Sequence, residues 1–392
     1  MTIVMERPPC RPKRVKLPEW LDPRPWMDLA REATLAQAEA ALRRASPDVF
    51  DFAALIAPAA APLLEPMAVR AQELTRRHFG RTINLYAPLY LADHCSSGCV
   101  YCGFSSDRNR PRQVLGPASL ERELQSLKQM GLDEVLLLTG DRHREADFGY
   151  LENSVRVAAS MFDTVAVESF TMTRDEYRRL TLAGCTGVTL YQETYNTVEY
   201  YRLHRWGPKV HYEKRLHGPE LALAAGLRTM GIGVLLGLCE PIYDVLSLFR
   251  HATYLRKRFW QAGITLSFPR MRHQLGDYEP RHAVDDATFA RIICAFRICL
   301  PDVPLVLSTR ESAPFRDGMA GIGITKMSGA SKTTVGGYAE EQDPAYGQFD
   351  ISDNRDVATF CAALRAKNLE PVFKNWDAVY RETEAAEQVA GV

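Results

Sequence analysis

The 392-residue sequence lacks an excess of charge of either sign: Lys and Arg together number 48, as do Asp and Glu. That balance removes any global electrostatic case for nucleic acid or for an anionic membrane surface. No uninterrupted apolar stretch approaches the roughly 20 residues of a membrane span, which argues against a membrane protein. The N-terminus shows no apolar centre of a signal peptide, so a cytoplasmic location is expected. Cysteine is sparse, nine in the whole chain, and a disulfide framework is excluded. Internal repeats, low-complexity tracts and an obvious interdomain linker are also missing. The basic run RPPCRPKRVK (7–16) reads as a solvated tail.

What remains is an ordinary globular composition, 46% hydrophobic and 24% charged. Residues 24–79 carry helix-forming sequence closed by Gly80. Eight short apolar runs follow: INLYAPLYL (83–91), EVLLLTG (134–140), TVAVESF (164–170), GVTLYQE (187–193), GIGVLLGL (231–238), ITLSFPR (264–270), PLVLSTR (304–310) and GIGITKMS (321–328). Segments with helical spacing, such as ASLERELQSLKQMG (118–131), separate them. Strands buried on both faces and alternating with helices imply a parallel sheet, and eight such units imply a closed α/β barrel of the (β/α)8 TIM type. The expected organisation is an N-terminal helical extension (1–80), the barrel (81–340), and an irregular, then helical, C-terminal segment packing on it (341–392).

In such a barrel the functional groups come from the C-terminal ends of the strands. Three cysteines follow the first run, and the second ends on Gly140 and Asp141. The third brings Glu168, the fourth ends on Gln192 and Glu193, and the fifth leads to Glu240. The last three end on Arg270, Arg310 and Ser328. Together these residues form a polar ring facing one cavity.

Cys95, Cys99 and Cys102 are spaced C-x3-C-x2-C, whereas Cys10, Cys185, Cys239, Cys294, Cys299 and Cys361 are scattered and read as inert small side chains. A structural zinc site wants four protein ligands, and redox dithiols come in pairs. Three thiolates suit a [4Fe–4S] cluster with one iron open to a small molecule. A non-catalytic barrel stabilised by zinc, with a distant fourth ligand, is the alternative.

With Tyr101 before the last cysteine, the motif resembles the signature of radical S-adenosylmethionine (SAM) enzymes. LYAPLYLADHCSSGCVYCGFS, LLLTGD, VTLYQETY, GIGVLLGL, LSFPRMR, LSTRES and SKTTVGGY are similar to the aromatic-amino-acid lyase branch of that superfamily. Within the branch they look nearest to the tyrosine lyases of thiamine thiazole biosynthesis, over about residues 50–380. The resemblance implies a [4Fe–4S] cluster on Cys95, Cys99 and Cys102, with SAM on its open iron, split to a 5′-deoxyadenosyl radical. SAM contacts are then expected from Tyr101, Gly140, Asp141 (where Glu is usual), Glu168, Gln192, Glu193, Leu235 and Gly237. Of Gln192 and Glu193, adjacent in sequence, at most one enters the barrel while the strand continues.

The resemblance further implies that Arg310 grips a substrate carboxylate through its planar fork. Tyr90 and Ser328 would stand near the substrate amino group. Arg270 and Arg272 would brace the rim, and His94 and His204 carry no assigned role. The implied reaction cleaves the Cα–Cβ bond of L-tyrosine to 2-iminoacetate and p-cresol, releasing 5′-deoxyadenosine and methionine from SAM. A thiazole synthase to receive the labile imine and a flavodoxin- or ferredoxin-type electron donor are the implied partners. Cys361 stands alone after residue 299, so the second cluster of hydrogenase-maturation relatives has no ligands here. Tryptophan as substrate remains the alternative within the branch.

Overall fold

The computed structural model describes residues 15–374 apart from 277, so Cys10, most of the basic run and the chain beyond 374 lie outside the described residues. Four helices come first: α1 (Arg24–Glu32), α2 (Leu35–Arg43), α3 (Val49–Ile56) and α4 (Leu64–Phe79). Capping boxes start two of them. Thr34 accepts from the Gln37 N–H and Asp48 from the Asp51 N–H, while Gln37 and Asp51 accept in return from the Thr34 and Asp48 N–H groups.

Eight parallel strands then close into a barrel: β1 (Thr82–Ala92), β2 (Glu134–Thr139), β3 (Thr164–Glu168), β4 (Gly187–Thr189), β5 (Thr229–Gly233), β6 (Gly263–Ser267), β7 (Leu305–Leu307) and β8 (Lys326–Ser328). Each pairs with its neighbour in sequence, and β1 pairs with both β2 and β8. The crossovers carry α5 (Pro117–Gln129), α6 (Phe148–Ala159), α7 (Arg174–Leu182), α8 (Thr197–Leu203), α9 (Tyr212–Ala224), α10 (Pro241–Arg258), α11 (Asp286–Cys299) and α12 (Ala313–Met319). A further helix, α13 (Val357–Ala366), lies in the C-terminal segment.

Besides β3, β4, β6 and β7, which end two to four residues before their apolar runs do, three elements differ from the sequence expectation. β5 begins at Thr229 and ends at Gly233, so most of GIGVLLGL is loop above the rim. β8 is confined to Lys326–Ser328, because the chain before it turns back through a hydrogen bond from the Gly321 N–H to the Ile324 carbonyl, 3.1 Å. A short strand, β9 (Glu370–Val372), adds to the outside of β1. Its central Pro371 has no donor to give, which an edge position tolerates.

Aromatic packing locks the helical extension to the barrel. Phe52 of α3 stacks on Phe249 of α10 at 4.4 Å and meets Phe296 of α11 at 4.8 Å, and Phe296 stacks on Phe268, just past β6, at 4.9 Å. Fully burying one such ring stabilises the fold by roughly 1.5–3 kcal/mol. Inside the barrel lies a cavity of about 150 Å³, with Tyr86, Tyr191 and Ser267 toward the rim and the Glu134–Lys326 ion pair below. Among the described residues no single helix is long and apolar enough to cross a membrane.

Asp244, in the first turn of α10, fixes the loop after β4. One carboxylate oxygen accepts from the Thr194 hydroxyl (3.0 Å) and the Tyr195 N–H (2.8 Å), and the other has no partner. Burial raises its pKa to about 7, against the lowering effect of those hydrogen bonds. The folded state therefore holds a proton that the unfolded chain releases near pH 4, and stability falls as pH climbs from about 4 to 7. Asp244→Asn keeps the acceptor and removes the charge. Its urea midpoint relative to wild type should rise over that window and level off above it. Parallel pH curves for the two proteins would contradict this.

Candidate active site

The loop between β1 and α5 carries the three cysteines and is laced from outside. Asp93 is fully buried and pairs with Arg110 at 2.7 Å. Arg112 donates to four carbonyls: Asp93 (2.7 Å), Phe104 (2.9 Å), Ser105 (2.6 Å) and Arg108 (3.3 Å). One guanidinium thereby joins the start of the cysteine loop to its end. The sequence reading missed both arginines, although the basic stretch after Cys102 was their signal.

Donors converge on the sulfurs. Cys95 Sγ accepts from the Ser97 N–H at 3.4 Å and the Asp141 N–H at 3.3 Å. Cys102 Sγ accepts from the Phe104 N–H at 3.4 Å and the Gln348 side-chain amide at 3.5 Å. Such N–H groups stabilise negative sulfur in a cluster site. Cys99 and Cys102 border an apolar shell of Leu203, Leu235 and Leu238. Burial pushes the metal-free Cys95 thiol up to about 12, with Asp141 and Cys102 adding to it, and pushes Cys99 up as well. Among the described residues no three His, Cys, Asp or Glu side chains converge to hold a single ion. A four-iron cluster spreads its thiolates over separate irons, and three cysteines fit three of them with the fourth iron open.

The turn after β2 is pressed onto this loop. A Cβ on Gly140 would lie 2.4 Å from the His94 carbonyl oxygen, so only glycine fits. Asp141 accepts from the Ser97 hydroxyl at 2.5 Å and the Arg142 N–H at 2.9 Å. Tyr101 donates to His204 Nε2 at 2.6 Å, and His204 Nδ1 lies 2.8 Å from the Tyr200 carbonyl. That carbonyl only accepts, so it fixes the tautomer, and burial keeps the ring neutral. His94 stacks on His143 at 5.0 Å.

β4 has ended before Gln192 and Glu193, and the two diverge. The Gln192 amide donates to the Tyr212 carbonyl at 3.5 Å. Glu193 adopts a positive φ of 71°, which swings its carboxylate onto Lys209 at 2.6 Å and Arg215 at 3.6 Å. Burial opposes its ionisation, but Lys209 and Arg215 override that and leave its pKa lowered. Neither cation was anticipated, because both lie beyond the strand end, on the loop before α9 and on α9 itself. Leu235 stays at the cysteines, and Gly237 takes φ 114° where a Cβ would meet Pro280 at 2.9 Å. Glu240 leaves the rim and pairs with Arg31 of α1 at 2.7 Å.

The last three strands end as a second group. Arg270 and Arg272 both pair with buried Glu311, the latter at 2.7 Å, and so brace the rim. Arg310 has no carboxylate partner among the described residues; its guanidinium lies 3.3 Å from the centre of the Phe349 ring. Burial lowers its pKa, and Tyr90, Tyr191 and Glu168 face it. Glu168 is raised to about 7 by burial and by Glu193. Ser328 Oγ accepts from the Thr309 N–H at 3.2 Å and the Ser331 hydroxyl at 3.1 Å. The chain thus brings together the three-cysteine loop, a ring of fixed charges and, in Arg310, a partly buried guanidinium without a carboxylate partner among the described residues.

Arg112→Leu should cost about 2–5 kcal/mol, because several carbonyls lose a charged donor at once. Iron bound per chain after anaerobic reconstitution should fall in parallel. A variant with wild-type stability and wild-type iron content would show that the loop holds its shape without this residue.

Comparison with known proteins agrees with this geometry. Residues 89–248 match the Radical SAM superfamily, and residues 267–370 match the Biotin and Thiamin Synthesis associated domain. The chain is 37% identical over 345 residues to the 2-iminoacetate synthase of Salmonella typhimurium, covering 88% of this chain and 91% of that protein. The 2-iminoacetate synthase of Escherichia coli gives the same identity and coverage. Among solved structures, HydG, a maturase of the [FeFe]-hydrogenase, superposes with a TM-score of 0.86 at 27% identity, covering 93% of this chain and 82% of that one. The chain belongs to the 2-iminoacetate synthase family of radical SAM enzymes.

Proposed function

We propose that this protein cleaves the Cα–Cβ bond of L-tyrosine to 2-iminoacetate and p-cresol as a radical SAM lyase. The observation that carries the substrate side is Arg310: a partly buried guanidinium with no carboxylate partner among the described residues, just past the end of β7. A charge partly withdrawn from water favours a ligand that supplies its partner. An amino-acid carboxylate matches the fork, and stacking on Phe349 leaves the guanidinium edge available to it.

When bound, the [4Fe–4S] cluster and SAM supply the 5′-deoxyadenosyl radical that removes a hydrogen atom from the substrate. The chain does the rest by placement. Cys95, Cys99 and Cys102 would hold the cluster. Tyr101, held by His204, and Leu235 would wall the SAM site, with Gly140 and Gly237 admitting backbone close to it. Glu193, held by Lys209 and Arg215, is the polar residue of that side. Arg310 orients the carboxylate, with Tyr90 and Ser328 beside the amino group. Tyr86 and Tyr191 form an aromatic floor beneath, where the cavity opens. Burial keeps both tyrosines in the phenol form. Two further readings follow from the family: a cytoplasmic location, and transfer of the water-labile imine to a thiazole synthase, with a flavodoxin- or ferredoxin-type protein delivering electrons.

The test is an anaerobic incubation with SAM, dithionite and either tyrosine or tryptophan, with products read by mass spectrometry. p-Cresol formed in step with 5′-deoxyadenosine from tyrosine supports the reading. An indole product from tryptophan, with no p-cresol from tyrosine, would replace it. Arg310→Ala should lose p-cresol by a hundredfold or more while 5′-deoxyadenosine still forms slowly, since truncating one partner of such a pair costs about 2–5 kcal/mol. Arg310→Lys keeps the charge but loses the fork, and should recover only part of the rate. Cys99→Ala should fold yet form no 5′-deoxyadenosine; turnover near the wild-type rate there would overturn the cluster assignment.

A further inference from the structure

The C-terminal segment lays residues 346–353 as a strap across the rim. The Tyr346 ring faces Arg110 at 5.6 Å, and Phe349 stacks on Arg310. The Ser352 N–H donates to the Thr309 carbonyl at 2.9 Å, and Asp353 pairs with Arg316 and, at 2.7 Å, with Arg355. Gln348 sits mid-strap, fixed by its backbone to Gly103 (3.2 Å) and Thr333 (2.9 Å). Its side chain bridges the cysteine loop and β1. Nε2 lies 3.5 Å from Cys102 Sγ, and Oε1 lies 2.8 Å from the Tyr90 hydroxyl.

The chemistry of the ends fixes the polarity of the chain. A thiolate sulfur only accepts, so the amide NH2 must face Cys102. That leaves Oε1 to Tyr90, whose hydroxyl must then donate. Its proton is committed to Gln348, and Tyr90 Oη has only lone pairs left for a further partner, on the side where Arg310 and Glu168 act on it. We propose that Gln348 is a positioning residue that sets Tyr90 as a hydrogen-bond acceptor for the substrate amino group and links that contact to the cluster ligand Cys102. The inference rests on the function proposed above.

Two readouts separate it from a merely structural role. The donor on Cys102 stabilises the added negative charge of a reduced cluster, so it raises the reduction potential. A substrate N–H donated to Tyr90 polarises the chain toward the sulfur and should raise it further. An EPR-monitored redox titration, with and without L-tyrosine, measures both effects on wild type, Gln348→Leu and Gln348→Glu at matched iron content. The expected result is a more negative potential in both variants and loss of the upward shift that tyrosine causes in wild type. The KM for tyrosine should rise about tenfold in the variants, with SAM cleavage retained, as expected for one oriented hydrogen bond. Wild-type potentials in variants of wild-type iron content would overturn the proposal. Loss of iron from both variants would also overturn it, since Gln348 would then be required for the cluster rather than modulating it. A wild-type chain that takes up no iron would sink the cluster reading itself.

Discussion

The closure of the barrel through β1 is the constraint on which everything else rests. This eleven-residue strand pairs with β2 on one side and β8 on the other. The pairing sets the cysteine loop beside the Gly140–Asp141 turn and the end of β8 within reach of Tyr86 and Tyr90. The register Ala87–Val135 through Tyr90–Leu138, followed by an irregularity before Ala92, delivers the loop to the rim. A one-residue slip would exchange the faces of Tyr86 and Tyr90 with those of the core residues Leu85 and Leu89. Arg112 and the Asp93–Arg110 pair brace the loop from outside. The site is a property of the fold, and the cofactor completes it.

Charge is arranged in two compartments above that barrel. On the β4 side, Glu193 pairs with both Lys209 and Arg215, which leaves one positive charge in excess there, faced by Glu168. On the β6–β8 side, Arg270 and Arg272 are met by Glu311 together with Asp286, and Arg316 by Asp353. Arg310 is left over. Low-dielectric surroundings make that imbalance strong, and they make a ligand carboxylate the natural means to relieve it. The strap carrying Gln348 and Phe349 joins the compartments, touching the cluster loop with one residue and the leftover arginine with the next.

How much of this the sequence discloses depends on the range of the interaction. The cysteine spacing, the eight apolar runs and the Arg310 position are local, and the structure places the strands close to where those runs lie. Gln192 and Glu193 show the limit of periodicity: alternation says that the two diverge, but the positive φ that selects Glu193 is set by contacts with Lys209 and Val234, distant in sequence. Glu240 looked like a rim residue because nothing local reveals Arg31, 209 positions away. Gln348 and β9 were invisible for the same reason. Each is meaningful only against β1 or its loop, some 250 residues or more earlier in the chain.

The central claim is that three thiols hold a cluster whose remaining iron is open to SAM. The direct measurement is EPR of the anaerobically reconstituted, reduced chain, recorded before and after SAM is added, beside its metal content. The account predicts a brown protein with roughly four irons per chain and a signal whose shape changes when SAM binds. Stoichiometric zinc without colour, or a cluster signal indifferent to SAM, would contradict it.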